Sequence, residues 1–171
     1  GGGMSVAVAD ECAKAGLNLP VFSDALVQRF REFIPGAGNM ICNPIDAHFM
    51  FMNLEMMGRT LNLLSENSGA DMFIISLQLD WIYTASGLQA QYLEKIASYI
   101  ADVGKKNVRG KPLVVAFKQY EDNPDVVRHV VIMRDIFLKE DIPFYEGLTR
   151  AISALSRLAG YSEFCMGLES R

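Results

Sequence analysis

Three glycines, Gly1, Gly2 and Gly3, run straight into Met4-Ser5-Val6 and an alanine-rich stretch that closes at Gly16. Glycine backbone accepts φ > 0 and lets a ligand come close. A helix beginning just after it presents unpaired N–H groups and the positive end of its dipole. That combination suits an anion, phosphate first among them. The same Gly-Gly-Gly-Met also has the look of a tag remnant ahead of a start codon. Two further stretches place polar groups where chemistry is done. Pro44 forces Asn43 out of the α region, so Asn43-Pro44-Ile45-Asp46 is a loop with two short polar side chains. Gln78 to Gly87, carrying Asp80, Trp81 and Tyr83, follows the most apolar run of the chain and reads as a loop at a strand's C-terminal end, where open α/β sheets bind ligands.

Other chemistry is not written in the sequence. There is no Gly-x-Ser-x-Gly elbow, no Walker-type phosphate loop and no metal-spaced histidine cluster. His129, near Asp125 and Arg128, reads as a solvated or packing residue of a helix. His48, just behind Asn-Pro-Ile-Asp-Ala, has the better claim on a site role. Cys12, Cys42 and Cys165 are odd in number with no Cys-x-x-Cys pair, which indicates neither a disulfide framework nor a zinc site and fits a reducing, cytoplasmic setting. The net charge of −4 argues against a nucleic-acid partner. The single basic cluster, Lys105, Lys106, Arg109 and Lys111, falls at a helix-to-strand turn and reads as a solvated helix terminus. No apolar run reaches the roughly 18 residues of a membrane span, and no secretory signal opens the chain. Met50, Met52, Met56 and Met57 read as core packing.

The elements that must position these groups follow from periodicity. With 171 residues, half of them apolar, the chain is expected to form one globular domain with a real core. After the opening helix, Ser23 caps a second helix over Asp24–Ile34, with Leu26, Val27, Phe30, Phe33 and Ile34 on its buried face. Asn39 to Cys42 reads as a brief strand, and Met52 to Ser65 as a third helix. Met72 to Leu77 is a continuous apolar run, the mark of a strand covered on both faces in a parallel sheet. A helix over Leu88–Val103, a buried strand over Lys111–Phe117, a helix from Asn123 to about Asp141, a short strand over Ile142–Tyr145 and a helix over Gly147–Ala159 follow. Tyr161 to Arg171 shows no period. Such alternation predicts a parallel sheet with helices on both faces.

GGGMSVAVADECAKAGLNLP, NPIDA, MFIISL, GKPLVVAF and EDIPFYEGLTRAISALSRLAGY, in that order, resemble the nucleoside-diphosphate-forming acyl-CoA synthetases. The likeness is to their second flavodoxin-like domain and, more distantly, to the C-terminal domain of the succinyl-CoA synthetase β subunit. It covers residues 1–161 and leaves 162–171 as a tail. It implies a flavodoxin-like three-layer α/β/α fold with a parallel sheet. It also implies a part in the reaction acyl-CoA + NDP + phosphate ⇌ acid + CoA + NTP, whose phosphoryl group travels on a histidine from another domain. By the resemblance, Gly1, Gly2 and Gly3 with the amides of Met4, Ser5 and Val6 hold the phosphohistidine. Asn43, Asp46, Gln78, Asp80 and Trp81 border the carboxylic acid, Trp81 or Tyr83 shaping the pocket for an apolar or aromatic acid.

The resemblance places CoA, ATP or ADP and Mg in the full enzyme, none of them held tightly by this domain. The partners it implies are the phosphohistidine, CoA-binding and nucleotide-grasp domains, of the same protein or of a partner subunit. No catalytic residue and no metal ligand is expected in this chain, which alone is not expected to turn over. A non-catalytic acyl-CoA-synthetase-like module, as in regulatory fusions with acetyltransferases, is the alternative. One physical expectation remains. A glycine turn feeding a helix is itself fed by a strand in such sheets, and none lies upstream of Gly1. The sequence therefore predicts a sheet that lacks its first strand, interior in the order 2-1-3-4-5, and exposed edges that promote self-association, a homodimer in the simplest case.

Overall fold

The computed structural model describes residues 2–36, 38–87, 89–119 and 123–169. Helices α1 (Gly2–Lys14) and α2 (Asp24–Arg31) lead through a 3₁₀ turn (His48–Phe51) to α3 (Leu54–Asn67). Then come β1 (Phe73–Gln78), α4 (Leu79–Ala85), α5 (Gln91–Asn107), β2 (Leu113–Lys118), α6 (Pro124–Lys139), β3 (Phe144–Glu146) and α7 (Leu148–Glu169). The starts of α2, α3 and α6 are set by side-chain caps. Ser23 Oγ accepts from Leu26 N–H at 3.3 Å, Asn53 Oδ1 from Met56 N–H at 3.1 Å and Asn123 Oδ1 from Asp125 N–H at 3.0 Å, each meeting one of the orphan donors of a first turn.

The strands pair in the order β1-β2-β3, all parallel, with Ile75 opposite Val115 and Val115 opposite Phe144. Phe73, Ile75 and Leu77 of β1 and Leu113, Val115 and Phe117 of β2 face the larger core. There they meet Leu93, Ile96 and Ile100 of α5, Val126, Met133 and Phe137 of α6, and Met57 and Leu61 of α3. On the opposite face, Val114 and Ala116 pack with Ala151 and Leu155 of α7, joined by Leu17 and Ile74. α1 is tied to α7 by Thr149 Oγ1 donating to Glu11 Oε2 (3.1 Å) and Ser156 Oγ donating to the Ala15 carbonyl (2.7 Å). A third cluster, Phe22, Leu26, Phe30, Ile34, Ala47 and Leu63, fixes α2 against α3. Helices thus cover both faces of an open parallel sheet, in the flavodoxin-like α/β arrangement.

Several boundaries depart from expectation, each for a physical reason. Asn39 to Cys42 is not a strand; Met40 makes one antiparallel bridge with Asp46, at 2.9 and 3.0 Å. Gln78 to Gly87 is not a loop. Gln78 ends β1 and Leu79 to Ala85 form α4, anchored by Leu79 and Ile82, three apart and both fully buried. α2 stops at Arg31, and Ile34 reaches the core from the following turn. α7 runs on to Glu169, so residues 162–169 are helical. Their large apolar side chains, Phe164, Met166 and Leu168, are exposed, so no buried face imposes a period. The basic cluster is not merely solvated. Lys111 Nζ donates to the Ala70 carbonyl (2.6 Å) and the Ser65 carbonyl (3.3 Å), and Arg109 Nη2 donates to Glu66 Oε1 (2.6 Å), which fastens the end of α3 to the start of β2.

Candidate functional site

A cleft of about 760 Å³ opens beside β1. α1 contributes Met4, Ser5, Val8 and Cys12 to its wall. α3 contributes Thr60, Leu61 and Leu64, the segment Asn43–Ala47 adds to the wall, and Leu155, Ala159 and Glu163 enter from α7. β1 supplies Ile74, Ser76 and Gln78, and Trp81 follows from α4. A volume of this size lies within the roughly 300–1,000 Å³ of small-molecule sites.

The cleft brings together six of the residues singled out from the sequence: Met4, Ser5, Asn43, Asp46, Gln78 and Trp81. Asn43 Nδ2 donates to the Pro20 carbonyl at 3.2 Å, which ties this loop to the segment after α1. Asp46 is held by its backbone bridge to Met40. Trp81 is 37% exposed. Asp80 is half-buried in the first turn of α4, where its carbonyl accepts from Thr84 Oγ1 at 2.9 Å, and it does not line the cleft.

At the start of α1 the geometry refines the expected anion cradle. Gly1 lies outside the described residues. Gly2 and Gly3 are not a turn ahead of the helix but its first residues, and Gly3 has no positive φ. In regular helical geometry Val6 N–H bonds back to the Gly2 carbonyl, so Val6 contributes no spare donor. Its side chain is 60% exposed and lies outside the cleft lining. The donors left over belong to Gly2, Gly3 and Met4. No acidic residue occupies this first turn, and a Cβ added at Gly3 would meet nothing within 4 Å, so the approach is open. Ser5, 7% exposed, lines the cleft.

Cys12, Thr60, Ser76 and Glu163 also line the cleft and were missed by sequence reading. Nothing local marks them, because they meet only once α1, α3, β1 and α7 assemble. Burial, with the Glu11 charge second, raises the Cys12 thiol above its ordinary pKa, so it stays protonated at neutral pH. His129 does not line the cleft. His129 is buried between α6 and α5, with Nδ1 2.5 Å from Glu94 Oε1, which makes it a packing residue; the side chain of His48 lies outside the described residues. Among the described residues no three His, Cys, Asp or Glu side chains are placed to hold a metal ion, and no helix is long and apolar enough to cross a membrane.

No family model matches the chain. It is 26% identical over 166 residues, 95% of its length, to the ADP-forming acetate–CoA ligase I of Archaeoglobus fulgidus, of which it covers 20%. Its fold is similar to the crystal structure of PH0766 from Pyrococcus horikoshii OT3, with a TM-score of 0.65, 26% sequence identity, and coverage of 91% of this chain and 32% of that one. The resemblance read from the sequence therefore holds: the chain is similar to a domain-sized part of an ADP-forming acid–CoA ligase, a fifth of that protein's length.

Proposed function

We propose that this chain is the flavodoxin-like domain of an NDP-forming acid–CoA ligase, and that the start of α1 receives the phosphoryl group of a phosphohistidine borne by another domain. The observation that carries this reading is the cleft itself. Met4 and Ser5 of α1 line it together with the Asn43–Asp46 loop and Gln78 at the end of β1. Backbone donors at Gly2, Gly3 and Met4, with the Ser5 hydroxyl, stabilise a dianionic phosphoryl group without a titrating side chain, and fixed dipoles of this kind cost no reorganisation when charge develops. Asn43, Asp46, Gln78 and Trp81 border the carboxylic acid. CoA, ATP or ADP and Mg supply the thiol, the phosphoryl acceptor or donor and charge neutralisation. In this reading other domains hold them.

The test is made in the longest natural polypeptide that contains this chain, assayed for ATP formation from acetyl-CoA, ADP and phosphate with Mg. Gly3→Val places a branched side chain over the spare donors, at a position where an added Cβ meets nothing within 4 Å. The expected loss in kcat is about 100-fold or more, the scale for removing one oxyanion donor. Full activity in Gly3→Val, or no ligase activity in the parent, overturns the reading. The acid pocket is checked separately, because Trp81 is the chain's single tryptophan. Its fluorescence is expected to respond to acetate or phenylacetate, and an unchanged spectrum removes Trp81 from that pocket.

A further inference from the structure

We propose that the outer face of the C-terminal half of α7 pairs antiparallel with the same face of a second copy of this chain. The inference is independent of the ligase reading and of the cleft. It starts from a helix with two apolar faces. α7 is 22 residues long, about 33 Å. Its inner face buries Ala151, Ile152 and Leu155, and further along Ala159 and Glu163 line the cleft. At 3.6 residues per turn the outer face carries Arg150, Arg157, Tyr161, Phe164 and Leu168 in succession. The two arginines are exposed, as a solvated face requires. Beyond them the face turns apolar and stays open. Leu158 is 44% exposed, Tyr161 66%, Phe164 63% and Leu168 55%. A surface helix keeps one apolar stripe for its own core, and a second, exposed one marks an interaction site.

The spacing identifies the partner. Leu158, Tyr161, Cys165 and Leu168 follow one another at intervals of 3, 4 and 3 residues, the seam spacing of paired helices. It emerges only where α7 joins these residues to Leu158, so 161–171 alone shows no period. The four positions are symmetric about residue 163. An isologous contact needs that symmetry, because residue i meets j while j meets i. In an antiparallel pair centred there, Leu158 stands opposite Leu168 of the second copy, and Tyr161 opposite Cys165 of the second copy. Phe164 stands opposite Ser162, large against small. Glu163 lies on the cleft side and puts no charge at the centre. A parallel pair would use the same seam but set Arg157 against Arg157 and Arg150 against Arg150, a like-charge clash that antiparallel pairing avoids. The body of the domain offers the second copy a seat. Ala154 and Leu158 line a cavity of about 400 Å³ with Leu113, Ile142 and Pro143, beside the starts of β2 and β3, and Leu168 of the second copy arrives at its rim. The area suits a reversible dimer. About 100 Å² is open on each large side chain of the face, so pairing removes on the order of 1,000 Å² in all, the low end of specific interfaces.

Sedimentation of the purified 171-residue chain over a range of concentrations tests this. The mass is expected to rise with concentration from 19.0 kDa toward twice that value. Tyr161→Glu puts a charge into the seam at an exposed position and is expected to weaken the dimer about tenfold or more. Met166→Glu, at a side chain 59% exposed but off the seam, is expected to leave it unchanged. Disulfide capture under oxidised glutathione, in a Cys42→Ser background, reads the orientation. Tyr161→Cys is expected to give a covalent dimer joined through positions 161 and 165, and Cys165 without that substitution is expected to give none. A chain that stays monomeric throughout overturns the proposal. So does equal dimerisation in Tyr161→Glu and Met166→Glu, which would move self-association to another surface such as a sheet edge. Ready bridging of Cys165 to Cys165 would mean a parallel pair and overturns it as well.

Discussion

Gly104 sits in the last turn of α5 against Leu113 and Ile142, and replacing it with alanine sets two known effects against each other. Helix propensity favours alanine by about 0.8–1.0 kcal/mol in a helix interior and by less near an end. Packing opposes it. The new Cβ would lie 2.6 Å from Leu113 Cδ2 and 3.3 Å from Ile142 Cδ1, and both side chains are core, 7% and 4% exposed. Neither can swing into solvent, so overpacking of about 1–3 kcal/mol is expected. The balance is a loss near 1 kcal/mol, a fall in Tm of about 2–4 °C for a domain of this size. Gly58→Ala in α3 is the internal comparison. Its Cβ meets Tyr99 Oη at 2.5 Å, but Tyr99 is only half-buried and its ring can move outward. There propensity wins, and Tm is expected to hold or rise. Thermal unfolding of both variants, with Leu113→Val added to Gly104→Ala to clear the clash, closes the cycle. The double variant should lose less than the two single losses together, by about 0.5 kcal/mol or more. A Gly104→Ala protein as stable as the parent, or shifts of the same sign at both glycines, would refute the packing argument.

Exposed Cys42 is expected to react with iodoacetamide well before Cys12, which is 2% exposed with its thiol pKa raised by burial; mass spectrometry of the alkylated peptides reads the order, and equal rates would mean that α1 leaves the cleft wall readily. Glu11 has its pKa held below the ordinary 4.5, first by the hydrogen bond from Lys14 and then by that from Thr149. A depressed carboxylate stabilises the fold above its unfolded pKa, and the contribution fades as pH falls through the folded value. Melting curves of the parent and Glu11→Gln should therefore differ at pH 7 and draw together as the pH falls below the ordinary carboxylate range, and a gap that widens on acidification would contradict the pairing. Lys111→Met leaves the Ala70 and Ser65 carbonyls without their ammonium donor. Charge-assisted bonds of this kind are worth about 1.5–3 kcal/mol, so urea unfolding should show an unfolding free energy lower by about that amount.

What the sequence displayed and what it concealed divide along a physical line. The parallel sheet was legible because Met72 to Leu77 and Leu113 to Phe117 are apolar on both faces, and only doubly covered strands read that way. Helix starts at Ser23 and Asn123 were legible because caps are local chemistry. α4 was concealed because its two anchors, Leu79 and Ile82, sit among Gln78, Asp80, Trp81 and Tyr83, whose polar and aromatic types imitate a loop. The end of α7 was concealed for the opposite reason, since apolar residues with no buried partner impose no period. Of the site, the start of α1, the Asn43–Asp46 loop and the end of β1 could each be picked out by residue type. Their convergence, and the membership of Cys12, Thr60, Ser76 and Glu163, is tertiary information that no window of sequence holds.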